Sequence, residues 1–68
     1  MTTRIDVDAL RLRYEAAFEV YRMHTANLIE HSKGGRQPAP QELAAEEEAL
    51  YELTRIRREL LDALVRTY

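Results

Sequence analysis

The residues with chemistry to offer are few: His24 and His31, a carboxylate run at Glu46-Glu47-Glu48, four tyrosines and nine arginines. Two imidazoles on one helix chelate a metal ion when they stand four residues apart. His24 and His31 are seven apart, which on a helix places them along one side but about 10 Å from each other, too far to share an ion. Three consecutive carboxylates point about 100° apart round a helix and cannot close on one cation. The chain has no Cys, which excludes disulfides, thiolate ligands and thiol nucleophiles. The other nucleophiles are threonines, Ser32 and Lys33, and no spacing sets a base and an orienting group beside any of them. The expectation is a protein with no catalysis of its own, no cofactor and no metal.

Tyrosines interleaved with arginines can stack on and neutralise a nucleic acid. Here Tyr14, Tyr21 and Tyr68 fall on apolar stripes, where the ring fills volume and the hydroxyl reaches the edge. Tyr51 alone faces outward, on the outer side of the second helical segment with Arg55, Arg58 and Arg66. Glu48, Glu59 and Asp62 are interleaved with these arginines, the pattern of a solvated face laced with i, i+3 and i, i+4 ion pairs. Tyr51, Arg55, Arg58 and Arg66 are the candidate partner-contacting surface. The net charge of −2 argues against a dedicated nucleic-acid binder.

Two elements must carry these residues, because 68 residues allow one small domain. Asp6 is an N-cap, with Ile5 before it and Leu10 after it at the spacing of a hydrophobic staple, and Asp8 meets the positive end of the helix dipole. Nothing breaks the helix until Gly34-Gly35 supplies a left-handed stop. After a loop over 34–39, Pro40 opens a second helix, where its missing N–H costs nothing. That helix is acidic over Glu42, Glu46, Glu47 and Glu48 and basic over Arg55, Arg57, Arg58 and Arg66, in agreement with its own dipole. The reading is all-α: an antiparallel two-helix hairpin with helices at about 6–33 and 40–67. No leader segment and no apolar run of about 20 residues is present, so the expected location is cytoplasmic, with no membrane partner.

The apolar residues ask for more helices than one chain provides. In the first helix Val7, Leu10, Tyr14, Ala17, Phe18, Tyr21, Thr25, Leu28 and Ile29 form one stripe, answered in the second by Leu43, Leu50, Leu53, Ile56, Leu60, Leu61, Leu64 and Tyr68. A second stripe on nearly the opposite side of the first helix, Ile5, Ala9, Leu12, Ala16, Val20 and Met23 with polar Asn27 at its end, has no partner within the hairpin. The second helix widens its own arc along Ala45, Ala49, Ile56 and Ala63. Dimerisation into a four-helix bundle is therefore expected, with Ile5, Ala9, Leu12, Ala16, Val20 and Met23 as the dimer interface. That stripe is nearly symmetric about Ala16, which suits an antiparallel contact with the twofold there. Arg57 stands apart, projecting into the apolar arc between Leu50 and Leu64, where it either extends to water or pairs with a carboxylate of the second copy.

Charge supports the antiparallel arrangement. The open end (residues 1–18 and 54–68) balances at +2 and the loop half (residues 19–53) at −4. Hairpins stacked in opposite directions set basic against acidic, which biases orientation more than it adds affinity.

The Ile5-Asp6-Val7-Asp8 start resembles the first helix of the all-helical chorismate mutases over a few residues. That family's active-site Lys has no counterpart on the helices, so no activity is carried over. In size and topology the hairpin is similar to the Rop type of helical-hairpin dimer, which binds RNA, without motif identity. The expected function is a small homodimeric interaction or regulatory module that binds a protein partner. The alternative is a nucleic-acid-associated regulator of the Rop type.

Overall fold

In the computed structural model, which describes residues 6–67, helix α1 spans Val7–Lys33 and helix α2 spans Pro40–Thr67. Asp6 caps α1 in extended conformation, its side chain accepting the Ala9 N–H at 3.1 Å. Its carbonyl accepts the Leu10 N–H at 3.2 Å and closes the first turn. Ile5, and with it the staple, lies outside the described residues, as does Tyr68.

The far end of α1 closes through its two glycines. Gly35 takes φ +73°, and Arg36 N–H donates to His31 O at 3.3 Å while Gly35 N–H donates to Ser32 O at 3.1 Å. This is the paired pattern of a Schellman stop, which satisfies carbonyls the helix leaves without partners. Four residues after Gly35, Ala39 O accepts the N–H groups of Glu42 at 2.9 Å and Leu43 at 3.2 Å, with Pro40 as the first helical residue of α2.

The helices run antiparallel along a rod of 56 × 16 × 16 Å. Two cross-helix approaches mark their common level, Arg13 to Glu59 near the open end and His31 to Glu42 near the loop. The half-buried residues of α1 are Val7, Leu10, Tyr14, Ala17, Tyr21, His24, Leu28 and His31, joined by Thr25. The first eight step strictly by three and four, a narrow seam of coiled-coil type. Opposite them α2 presents Ala45, Ala49, Leu53, Ile56, Leu60 and Ala63. Bulk alternates with smallness at matching levels. At the levels those approaches mark, His24 and Leu28 of α1 lie beside Ala49 and Ala45 of α2 near the loop, and near the open end Ala17 lies beside Ile56 and Leu10 beside Ala63.

The seam differs in two respects from the apolar stripes of the sequence. His24 and His31 belong to the seam itself, and α2 is rotated so that its alanine edge points inward. Ala63 is the most buried of the core residues at 3% exposure, while Leu43, Leu50 and Leu61 are left open, as are Phe18 and Ile29 of α1. Small side chains let the two backbones approach closely, and that contact excludes the bulkier leucines from the seam. Among the described residues no helix is long and apolar enough to cross a membrane.

Candidate interaction surface

Each flank of the hairpin has its own character, because right-handed helices of opposite direction bring specific edges together. At about 100° per residue, Arg13, Asn27 and His31 of α1 lie on the same side of the seam as Gln41 and Glu59 of α2. On this polar flank Arg13 Nη1 stands 3.4 Å from Glu59 Oε2, Arg55 Nη1 donates to Glu59 Oε1 at 3.0 Å, and Arg55 also pairs with Glu52. The hydrogen bond from Arg55 holds the Glu52 carboxyl below the usual glutamate range and raises the guanidinium. Arg22 does the same to Glu19 within α1.

Near the loop the polar flank holds a shallow cleft of about 280 Å³ lined by His24, Asn27, His31, Gln41, Glu42 and Ala45. His31 Nδ1 lies 2.8 Å from the Asn27 carbonyl and 3.2 Å from Glu42 Oε2. One N–H cannot serve both acceptors well, and the shorter contact, to the carbonyl, takes it. Glu42 Oε2 is then shielded from water without a hydrogen bond of its own. Among the described residues no three His, Cys, Asp or Glu side chains gather closely enough to hold a metal ion.

The stripe expected to form the dimer interface runs along the same outer flank of α1, since Asn27, its polar member, lines that cleft. Ala9, Leu12, Ala16, Val20 and Met23 are all exposed, Leu12 at 62% and Met23 at 51%, and Ile5 lies outside the described residues. Of the candidate partner-contacting residues, Tyr51 is 71% exposed, and Arg58 and Arg66 carry no ion pair among the described residues. Arg55 is set apart from them by its two carboxylates.

The opposite flank is apolar and belongs to both helices. Phe18 and Ile29 of α1 turn to this side, with Tyr14 packed near Phe18 at a ring-centroid distance of 6.3 Å. On α2 the same side carries Leu43, Leu50, Leu61 and half-buried Leu64, interrupted by Glu47, Thr54 and Arg57. Neither Arg57 nor Glu47 has an ion-pair partner among the described residues. The apolar stripes of the sequence place these leucines, Phe18 and Ile29 in the intrachain contact, and the structure leaves all but Leu64 open. The signal that separates the two roles is the strict three-four spacing from Val7 to His31, which includes the histidines and leaves out Phe18 and Ile29.

Comparison of the chain with protein-family models, with curated proteins and with solved structures gives no match.

Proposed function

We propose that the chain is a small homo-oligomeric interaction or regulatory module: two hairpins associate into a four-helix bundle, whose outer surface binds a protein partner. The observation that carries this reading is the area left open. The accessible surface is 5747 Å² for a chain of 8.0 kDa, where a compact monomer of that mass exposes about 4,450 Å². The excess of about 1,300 Å² is larger than the roughly 800 Å² that each partner buries in an interface of standard size. Among the described residues Leu53, Ile56 and Ala63 are the buried ones, a small core that leaves large apolar side chains of both helices open.

On the outside of such a bundle Tyr51, Arg58 and Arg66 offer the residue types that dominate protein–protein contacts, and their charge suits a partner presenting carboxylates. Sedimentation equilibrium at micromolar concentration tests the oligomer: the expected mass is twice that of the chain, and a fully helical monomer refutes the reading. The partner surface is tested on a captured partner by Tyr51→Ala and Arg58→Glu, which should weaken capture without changing the oligomer. The nucleic-acid alternative draws on Arg58 and Arg66 lacking ion pairs among the described residues. It requires affinity for RNA or DNA that falls steeply with salt.

A further inference from the structure

The dimeric reading leaves open which face is covered, and the unpaired charges on the apolar flank give an answer that rests on that reading. We propose that a second copy of the chain covers the two-helix apolar face, with α2 running antiparallel to α2 of the second copy about a twofold near the level of Glu52. Arg57 of each chain then pairs with Glu47 of the other.

Among the described residues this is the one surface to which both helices contribute large apolar side chains, Phe18 and Ile29 from α1 and Leu43, Leu50 and Leu61 from α2, all exposed. A bundle needs such a face, because each added helix must bury against two neighbours. The stripe through Leu12 belongs to α1 alone and flanks the charged network of Arg13, Glu59 and Arg55.

The register follows from the order of side chains along α2. Among the exposed positions of this flank, Leu43, Glu47, Leu50, Thr54, Arg57 and Leu61 step by four and three in a sequence that reads alike from either end, and Val65 follows beyond Leu61. Antiparallel alignment about the level of Glu52 sets Leu43 against Leu61, Glu47 against Arg57 and Leu50 against Thr54, each pair occurring twice. Every pair is complementary: apolar with apolar, acid with base, and leucine with a threonine methyl. The Thr54 hydroxyl is already satisfied, donating to the Leu50 carbonyl at 2.8 Å, so it brings no unmet hydrogen bond to the contact. Within one chain Glu47 and Arg57 are ten residues apart on a single helix, about 15 Å along its axis, and cannot reach each other. Parallel stacking would set Glu47 beside Glu47 and Arg57 beside Arg57. The net negative charge of the loop half and positive charge of the open end favour the same antiparallel choice.

Charge exchange in the full chain tests the register. Glu47→Arg and Arg57→Glu each place two like-charged pairs in the dimer, and each should raise the dissociation constant about tenfold at low salt, which is about 0.7 kcal/mol for each of the two pairs and within the range of exposed charge pairs. The double variant restores both pairs in reversed order and should return to within about threefold of the parent. Sedimentation equilibrium over a concentration series gives the constants. Thermal melts followed by circular dichroism at several concentrations give the same ordering if the hairpin unfolds on dissociating. A parent dimer whose single variants are unaffected, or whose double variant is as weak as the singles, overturns this register and leaves the dimeric reading standing. A parent chain that is monomeric throughout overturns both.

Discussion

Arg13 on α1 and Glu59 on α2 meet across the hairpin at 3.4 Å although 46 residues separate them in the chain. Glu59 is shared, because Arg55 holds its other oxygen at 3.0 Å and pairs in turn with Glu52. The network marks the level at which the helices lie alongside each other, and because its members are half exposed its energetic weight is small. Arg13→Gln should lower stability by about 0.2–1 kcal/mol, the range of exposed ion pairs, since Glu59 keeps Arg55. Chemical denaturation at fixed chain concentration measures it, and a loss well beyond that range would mean the pair is more buried than its exposure indicates.

The same network has a pH signature. The Arg55 guanidinium lowers the Glu52 carboxyl by a hydrogen bond, so the charged form is favoured in the folded chain. A depressed carboxylate contributes stability that is complete above its unfolded value and is lost as pH falls through its folded value. Carboxyl titration by NMR should find Glu52 below ordinary glutamates, and Arg55→Gln should bring it back up while flattening the acid side of the stability profile. A Glu52 that titrates identically in both chains contradicts the pairing.

Ala63 decides how α2 is rotated. At 3% exposure it lies where the two backbones approach, and a larger side chain there must push them apart. Ala63→Leu should cost about 1–3 kcal/mol by overpacking. Were the alanine edge directed outward, the same change would extend an apolar stripe and leave stability equal or higher, so thermal melts separate the two rotations.

The helix ends and the rotation of α2 differ in how legible they are from sequence. The Asp6 cap, the Gly34-Gly35 stop and Pro40 at the start of α2 are local chemistry, each set by one or two residue types, and the structure has all three. The seam is another matter. Both helices carry apolar arcs wider than one contact needs, and periodicity shows where an arc lies without showing which part of it meets the neighbour. Close approach at Ala45, Ala49 and Ala63 chooses the small-residue edge, which a ranking by hydrophobicity passes over in favour of Leu43, Leu50 and Leu61. Hydrophobicity likewise passes over His24 and His31, which the three-four spacing of α1 places in the seam. The two-helix face emerges only once that rotation is known.

Gly34 and Gly35 are adjacent but not equivalent. Gly35 has φ +73°, where a Cβ is strained whatever the space around it, whereas Gly34 has φ −79° and a Cβ there would meet His31 O at an ordinary 3.6 Å. Gly35→Ala should cost about 1–2 kcal/mol, the penalty of a left-handed residue with a side chain. Gly34→Ala should be close to neutral, because its backbone is already one that alanine adopts. Equal melting temperatures for the two variants would show that the loop does not close through this stop.

Ala16 separates the two geometries by which hairpins of this shape can pair. If α1 crossed α1 of a second copy along the stripe of Ala9, Leu12, Ala16, Val20 and Met23, the twofold would fall at Ala16. Ala16→Glu would then force two carboxylates together out of water, and like charges in that setting cannot both stay ionised cheaply. The dimer would dissociate, or hold only at a pH low enough to protonate one of them. If the covered face is instead the one carrying Phe18, Leu50 and Leu61, Ala16 stays on the exposed outer flank of α1, as it is in the single hairpin. A glutamate there meets only water, and the propensity difference from alanine is a few tenths of a kcal/mol. The expected outcome is a dimer at the parent's dissociation constant, with a melting temperature within a few degrees, at neutral pH. Leu61→Glu supplies the complementary measurement, because it places charge on the covered face and should dissociate the dimer at concentrations where Ala16→Glu does not. The opposite pair of results, a monomeric Ala16→Glu and an intact Leu61→Glu, assigns the contact to the stripe of α1 and leaves the two-helix face to the partner protein.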